Sequence, residues 1–181
     1  MAVVINGNGA VTGLTALPDS AMAEGSIVQV KQTVKSDTAS VGSASFTDLS
    51  GMTVSITPTS TSSKIFIMCH MTLCANTQNH TIIFKLVRGS TDICVGDQAG
   101  SNRRRATGAF AQVGGGDHPF TVSFQFMDSP STTSATTYKI QVQTESGNTM
   151  TLNGRQEGDT DATEAKNARY ASTITAMEVS A

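Results

Sequence analysis

The chain has 181 residues and a formal net charge of −2, and Lys, Arg, Asp and Glu make up only 14% of it. Soluble domains ordinarily carry about 25% charged residues. Threonine and serine are abundant instead, with 26 and 20 copies. A chain without excess positive charge lacks the electrostatic attraction that holds nucleic acid or anionic membranes. We therefore expect no nucleic-acid partner and no membrane insertion, and the length suits one sizeable domain.

Residues 1–25 differ in composition from the rest of the chain, because glycine and proline interrupt them at a density that disfavours regular structure. They predict an extended N-terminal arm. Loose apolar side chains are poorly solvated, so we expect this arm to bind another chain, although a frayed tail or an edge strand is the alternative. The arm shows no signal-peptide pattern, which predicts synthesis in a cytoplasm. Its six candidate partner-binding residues are Val3, Val4, Ile5, Val11, Leu14 and Leu17.

From residue 26 onward, short segments alternate apolar and polar residues, which is typical of half-buried strands. Valine, isoleucine and threonine dominate these segments, and their branched Cβ atoms favour extended backbone. We predict one antiparallel β-sandwich domain over residues 26–181, with about eight to ten strands and no helix. In chain order the strands fall near residues 28–34, 52–56, 65–73, 81–87, 91–96, a small-residue segment after 105, 121–126, 138–143, 150–152 and 172–179.

The segment from Ile65 to Leu73 is apolar at nearly every position, and His70 is its exception. Such a strand is either buried on both faces or turned with one face toward partner subunits. Two hydroxyl-rich loops, which begin at Pro58 and Pro130, each lead into a strand. This repeated pattern suits two similar sheets that face each other.

Three cysteines, Cys69, Cys74 and Cys94, give an odd number, and we expect reduced core thiols rather than disulfides. Cys69 and His70 are neighbours on one predicted strand, so they point to opposite faces and do not form a zinc site. Four acidic residues between 157 and 164 lack the spacing of an EF-hand and predict a solvated loop. These acidic residues are Glu157, Asp159, Asp161 and Glu164.

Several polar residues fall in predicted loops and are candidate exposed contacts. They are Arg103, Arg104, Arg105, Asp117 and His118. Planar guanidinium groups are suited to binding a carboxylate or phosphate of a partner. The sequence contains no nucleophile motif, metalloprotease motif or phosphate-binding loop. We therefore expect neither an enzyme nor a bound cofactor.

Several short motifs resemble those of small virion proteins from bacteriophages of marine and cyanobacterial hosts. They are Ile27-Val-Gln-Val-Lys-Gln-Thr, Gly51-Met-Thr-Val-Ser-Ile-Thr-Pro, Leu86-Val-Arg-Gly-Ser, Asp128-Ser-Pro and Thr137-Tyr-Lys-Ile-Gln-Val. The resemblance runs from about Ile27 to the last residue, and the arm resembles the leading segments of phage tail-associated proteins. It implies a jelly-roll domain, a homotrimer and a place on the virion. The motifs identify no catalytic residue.

Two placements on a virion follow from this resemblance. A tail-fibre or tail-associated protein would hang from the arm and present its distal loops to host glycan. A head-decoration protein would clamp capsid subunits with the same arm. Aromatic residues make up 5% and tryptophan is absent, which disfavours sugar stacking. The remaining alternative is a lectin-like module that recognises host glycan.

Overall fold

The computed structural model describes residues 22–77, 79–111, 118–155, 163 and 167–181, and the backbone of two short strands nearer the start of the chain. Its described residues form strands and no α-helix, and none of them belongs to a helix that could span a membrane. The strands are β1 Val4–Ile5, β2 Val11–Thr12, β3 Ile27–Lys35, β4 Ala39–Val41, β5 Thr47–Ile56, β6 Lys64–Ala75, β7 Thr81–Arg88, β8 Thr91–Ile93, β9 Gly108–Ala111, β10 Phe120–Asp128, β11 Thr136–Gln143, β12 Met150–Leu152 and β13 Ser172–Val179.

Two antiparallel sheets form the domain. In the first sheet, β3, β13, β6 and β10 lie side by side, while β12 and β4 extend the sheet past the end of β13. In the second sheet, β5, β11 and β7 lie side by side, and β8 and β9 both pair with the far edge of β7. The first long strand thus pairs with the last, and the second long strand with the next to last.

This strand order defines a jelly roll, in which eight principal strands wind through two facing sheets. The all-β prediction and the sandwich architecture are confirmed. The segment predicted at residues 91–96 forms only the three-residue strand β8, and the small-residue segment after Arg105 forms β9. Sequence alternation did not reveal β4, because three residues are too few to show a period.

The core lies between the sheets and is filled by alternate residues of the long strands. Ile65, Ile67 and Met71 of β6 are fully buried there, opposite Tyr138 and Ile140 of β11. Phe84 and Phe124 stack with ring centroids 5.6 Å apart and join the two sheets near their β7 and β10 edges.

Both hydroxyl-rich loops cross from one sheet to the other at the same end of the sandwich. The loop over residues 57–63 joins β5 to β6, and the loop over 129–135 joins β10 to β11. A polar cluster fastens the second loop. The Arg88 guanidinium donates to both carboxylate oxygens of Asp128 at 2.9 Å, and the Tyr138 hydroxyl donates to Asp128 Oδ2 at 2.7 Å. Burial and the hydrogen bond to Asp128 raise the pKa of Tyr138, which keeps the phenol protonated.

A buried carboxylate on β13 fastens the first loop. Glu178 has no exposed surface, and it accepts hydrogen bonds from the Thr59 amide at 2.7 Å, the Thr59 hydroxyl at 2.6 Å and the Gln29 amide at 2.5 Å. Burial alone raises the pKa of a carboxyl, but these donors outweigh burial and hold the pKa of Glu178 below its ordinary value of 4.5. The loop between β5 and β6 therefore depends on an ionised glutamate.

The predicted arm contains a small sheet of its own. Val4 pairs with Thr12, and Ile5 pairs with Val11, so β1 and β2 form a two-stranded antiparallel ladder. Gly25, the last residue of the predicted arm, donates its amide to the Ser180 carbonyl at 2.9 Å, just beyond β13. The boundary between residues 25 and 26 stays a prediction.

Replacing Glu178 with Gln should lower the free energy of unfolding by about 1.5–3 kcal/mol near neutral pH. The Thr59 and Gln29 donors lose a charged acceptor, and the NH₂ group of the new glutamine, itself a donor, faces them. The folded carboxyl has a lowered pKa, so its contribution is complete above pH 4.5 and is lost as the pH falls through the folded value. Urea unfolding of both proteins across the acid range checks this. The difference should shrink on acidification, and a constant difference would contradict the ionised state.

Candidate functional site: an uncharged outer face

The side of the first sheet that points away from the core carries no Asp, Glu or Arg across its four long strands, and its one lysine, Lys64, is the first residue of β6. We call this surface the neutral face. Strand register places its side chains, since paired residues point to the same side of a sheet. Its members are Val30, Gln32 and Val34 of β3; Thr173, Thr175 and Met177 of β13; Phe66, Met68, His70 and Thr72 of β6; and Thr121, Ser123, Gln125 and Met127 of β10. Lys64 lies at its margin and donates to the Ser129 hydroxyl.

The neutral face is concave. A groove of about 720 Å³ runs across it, with Val30 and Gln32 on one side and Ser123 and Gln125 on the other. Met68 lies between these two sides. The groove therefore combines thioether and aliphatic groups with amides and hydroxyls, and it lies on regular strands rather than on loops.

Apolar exposure is concentrated on this side of the molecule. Met68 is 42% exposed, Val30 52% and Val34 58%. Among the described residues, six large hydrophobic side chains are exposed, and five of them point outward from the first sheet. These five are Ile27, Val30, Val34, Met68 and Met127. A contiguous exposed apolar surface of this kind marks an interaction site in soluble proteins.

The outer side of the second sheet is different, because charged residues cover it. Lys139 Nζ lies 2.8 Å from Asp48 Oδ2, and Lys85 Nζ lies 2.7 Å from Asp92 Oδ1. Hydrogen bonds from Lys139 and Gln141 lower the pKa of Asp48, so this carboxyl stays ionised. The two outer faces of one sandwich thus differ in kind: the second suits water, and the first suits another uncharged surface.

His70 lies near the middle of the neutral face. Its Nδ1 atom is 3.1 Å from the Ser123 hydroxyl on β10, and Thr173 is its neighbour on β13. Cys69 points the other way and is buried in the core, as the alternation predicted. Since Met68 and His70 are exposed, β6 is not buried on both faces within one chain. Outward contact of this strand with partner subunits stays a prediction.

The candidate loop contacts lie in two separate connections. Arg103, Arg104 and Arg105 are exposed in the segment that joins β8 to β9, and Arg105 Nε donates to the Gly96 carbonyl at 2.7 Å. His118 is exposed just before β10, in the next connection along the chain. Asp117 lies outside the described residues. The three arginines and His118 therefore lie in different loops.

Several other predicted residues also lie outside the described part of the chain. Of the arm residues, the structure describes Val4, Ile5 and Val11, by their strand backbone only. Val3, Leu14 and Leu17 are not described, nor are the four acidic residues between 157 and 164. Among described residues, no group of three or more acidic, histidine or cysteine side chains could hold a metal ion.

The neutral face was missed by sequence reasoning, although one signal for it existed. The alternation of β3 places Val30 and Val34 together with Gln32, and the other side of the same strand holds Lys31 and Thr33. The pattern alone favours a core position for the valines. Pairing with β13 shows instead that the valines point outward.

The strand order places the protein in the jelly-roll class. No family model matches the sequence. No curated protein matches it either. Among solved structures, a chain in "Structure of infectious bursal disease virus Gx strain" is similar with a TM-score of 0.40 and 12% identity. The match covers 84% of this chain and 38% of that chain, so this chain spans well under half of that viral chain's length. The fold assignment rests on the strand order itself.

Cysteine labelling should separate the two core thiols from Cys94. Cys69 and Cys74 are buried, and burial raises the pKa of Cys69 to about 12, so almost no thiolate forms. Cys94 is half-buried, and burial raises its pKa as well. We expect iodoacetamide to modify Cys94 slowly in the native protein and the other two only after unfolding. Peptide mass spectrometry checks this, and equal labelling of Cys69 would show that the core opens readily.

Proposed function

We propose that this protein is a structural component of a bacteriophage virion. It is a jelly-roll module that assembles as a homotrimer, and its N-terminal arm attaches it to other virion proteins. The observation that carries the proposal is the neutral face, because an isolated domain in water has no use for a broad surface with no charge beyond Lys64 and with four exposed large apolar side chains. The proposal assigns the protein a role in assembly and no catalytic step.

Two further observations support this function. The jelly roll is a fold that capsid and lectin domains use, so it is compatible with a structural role without requiring one. The motifs from Ile27 onward resemble those of small phage virion proteins, and they lie on the strands and turns of the described domain. The fold, the outward surface and the resemblance are thus consistent with one another.

Both placements on the particle use the same parts of the molecule. In a tail fibre or tail-associated protein, the arm would bind the tail and the loops would face the host. In a head-decoration protein, the arm would bind capsid subunits. The described jelly roll suits decoration, while the resemblance of the arm to tail-associated segments suits the tail. The protein would be made in the cytoplasm of the bacterial host and become part of the virion.

A glycan-binding module is the second candidate. The groove on the neutral face supports it, because Gln32, His70, Ser123 and Gln125 offer hydrogen-bond donors and acceptors beside apolar surface. Sugar sites commonly add an aromatic ring for stacking. The Phe124 side chain points into the core, where its ring stacks on Phe84, so Phe66 is the aromatic residue on the outward side of these strands. A glycan array with purified protein distinguishes a lectin from a purely structural protein.

Deleting residues 2–24 should leave a folded domain that no longer joins virions. The two described strands of the deleted segment, β1 and β2, form a sheet separate from the two main sheets, so the thermal unfolding of the domain should change little. The measurement is the amount of tagged protein that copurifies with particles, together with a label that shows head or tail. A truncated protein that still copurifies would show that the arm is not the anchor.

A matched variant separates loss of the arm from loss of its apolar groups. This full-length variant carries Ser in place of Val3, Val4 and Ile5. It keeps the length of the arm and removes these three apolar side chains. If apolar docking holds the arm, this variant should attach as poorly as the deletion. Full attachment of the serine variant would assign the anchor to the backbone or to the later arm residues.

A further inference from the structure

Most of the neutral face can be buried without removing a formal charge from water. Transfer of an unpaired ion into an interface is costly, and the one ion on the four long strands of this face is Lys64, at the first position of β6 and at the margin of the face. The opposite outer face would need to bury the Lys139–Asp48 and Lys85–Asp92 pairs. Of the two sheets, the first therefore offers the surface that another protein can cover at the lower cost.

The polar groups on the neutral face are self-complementary. Its polar side chains are amides, hydroxyls and one imidazole, such as Gln32, Gln125, Ser123 and His70. Each of these groups carries both a donor and an acceptor, so it can bond to an identical group on another molecule. A carboxylate or an ammonium group cannot do so. A strongly charged partner would lack oppositely charged groups to pair with on this face. A second copy of the chain presents the same amides, hydroxyls and imidazole, which can bond to one another.

The dimensions of the face also suit a stable contact between copies. Four strands spaced about 4.8 Å apart, which pair with their neighbours over about seven to nine residues, give a patch of about 15–20 Å by about 23–30 Å. Side-chain relief increases the accessible area beyond that footprint, toward the roughly 800 Å² per partner of a typical stable interface. Such interfaces are built around an apolar centre with a polar rim. Here Met68 occupies the centre.

From these observations we propose that the neutral face is the surface through which copies of this chain bind one another. This inference deepens the proposed function, because it rests on the homotrimer and names its contact. The face of each subunit turns toward the symmetry axis, and β6 and β10 of neighbouring copies meet there. The charged face of the second sheet stays in water, and the arm remains available for other virion proteins.

The first experiment introduces a charge at Met68 in the full-length protein. Met68→Glu should fold, because the side chain is already 42% exposed in one chain. It should raise the dissociation constant of the trimer by about a hundredfold or more, because the like charges meet in a poorly solvated contact. Light scattering and sedimentation at micromolar concentration measure this, and circular dichroism checks the fold. Val34→Glu on β3 is a second, independent variant in case the first one misfolds.

Ser55→Glu is the matched control, because Ser55 is exposed on β5 and points outward from the second sheet. This variant should remain trimeric. If Met68→Glu and Val34→Glu remain as trimeric as the wild type, copies do not bind through the neutral face. The proposed virion function would then still hold.

If the wild type is a monomer, both the contact between copies and the homotrimer are wrong. The deletion of residues 2–24 would still test whether the arm attaches the protein to virions. Loss of glycan binding in a trimeric Met68→Glu protein would assign the groove to sugar and overturn the contact.

Discussion

The two-residue period of β6 is the constraint on which the rest of the structure depends. This strand pairs with β10 on one side and with β13 and β12 on the other, so its side chains determine both surfaces of the first sheet. One set of alternate residues, including Ile65 and Ile67, fills the core, and truncation of one such side chain to Ala would cost about 2–5 kcal/mol. The other set, including Met68 and His70, forms the centre of the neutral face. A shift of one residue in register would exchange the two sets and destroy both surfaces.

Buried polar groups then fix the ends of this arrangement. Glu178 holds the loop that leads into β6, and the Arg88–Asp128–Tyr138 cluster holds the loop that follows β10. Both clusters lie where the chain crosses between the sheets. In each cluster a buried carboxylate, Glu178 or Asp128, is surrounded by hydrogen-bond donors rather than by apolar groups. The strands that build the neutral face are therefore held at the points where they enter and leave the first sheet. A rigid sheet is a suitable support for a contact between copies, because little conformational entropy remains to be lost on binding.

The sequence revealed the strands of this domain better than it revealed the direction in which they face. Tyr138, Ile140 and Val142 alternate with polar residues, and this pattern alone predicted both a strand and its buried side, correctly. Val30 and Val34 show the same alternation and point outward, because the pattern tells which residues share a face and not which face meets the core. The neutral face combines four strands that are far apart in the sequence, so it emerges only from their pairing. The virion and trimer assignments, by contrast, came from resemblance and remain proposals.

The junction between the arm and the domain determines how a pulling force enters the molecule. The arm meets the sandwich where Gly25 and Ser26 exchange backbone hydrogen bonds with Ser180, directly before β3. From there, β3 lies against β13 from Ile27 to Lys35 in an antiparallel ladder with a register shift between Glu178 and Val179. Tension directed along β3 loads the whole ladder in shear, so its hydrogen bonds share the force and do not open one after another. A particle-bound subunit attached in this way would resist being torn loose far better along the strand axis than across it.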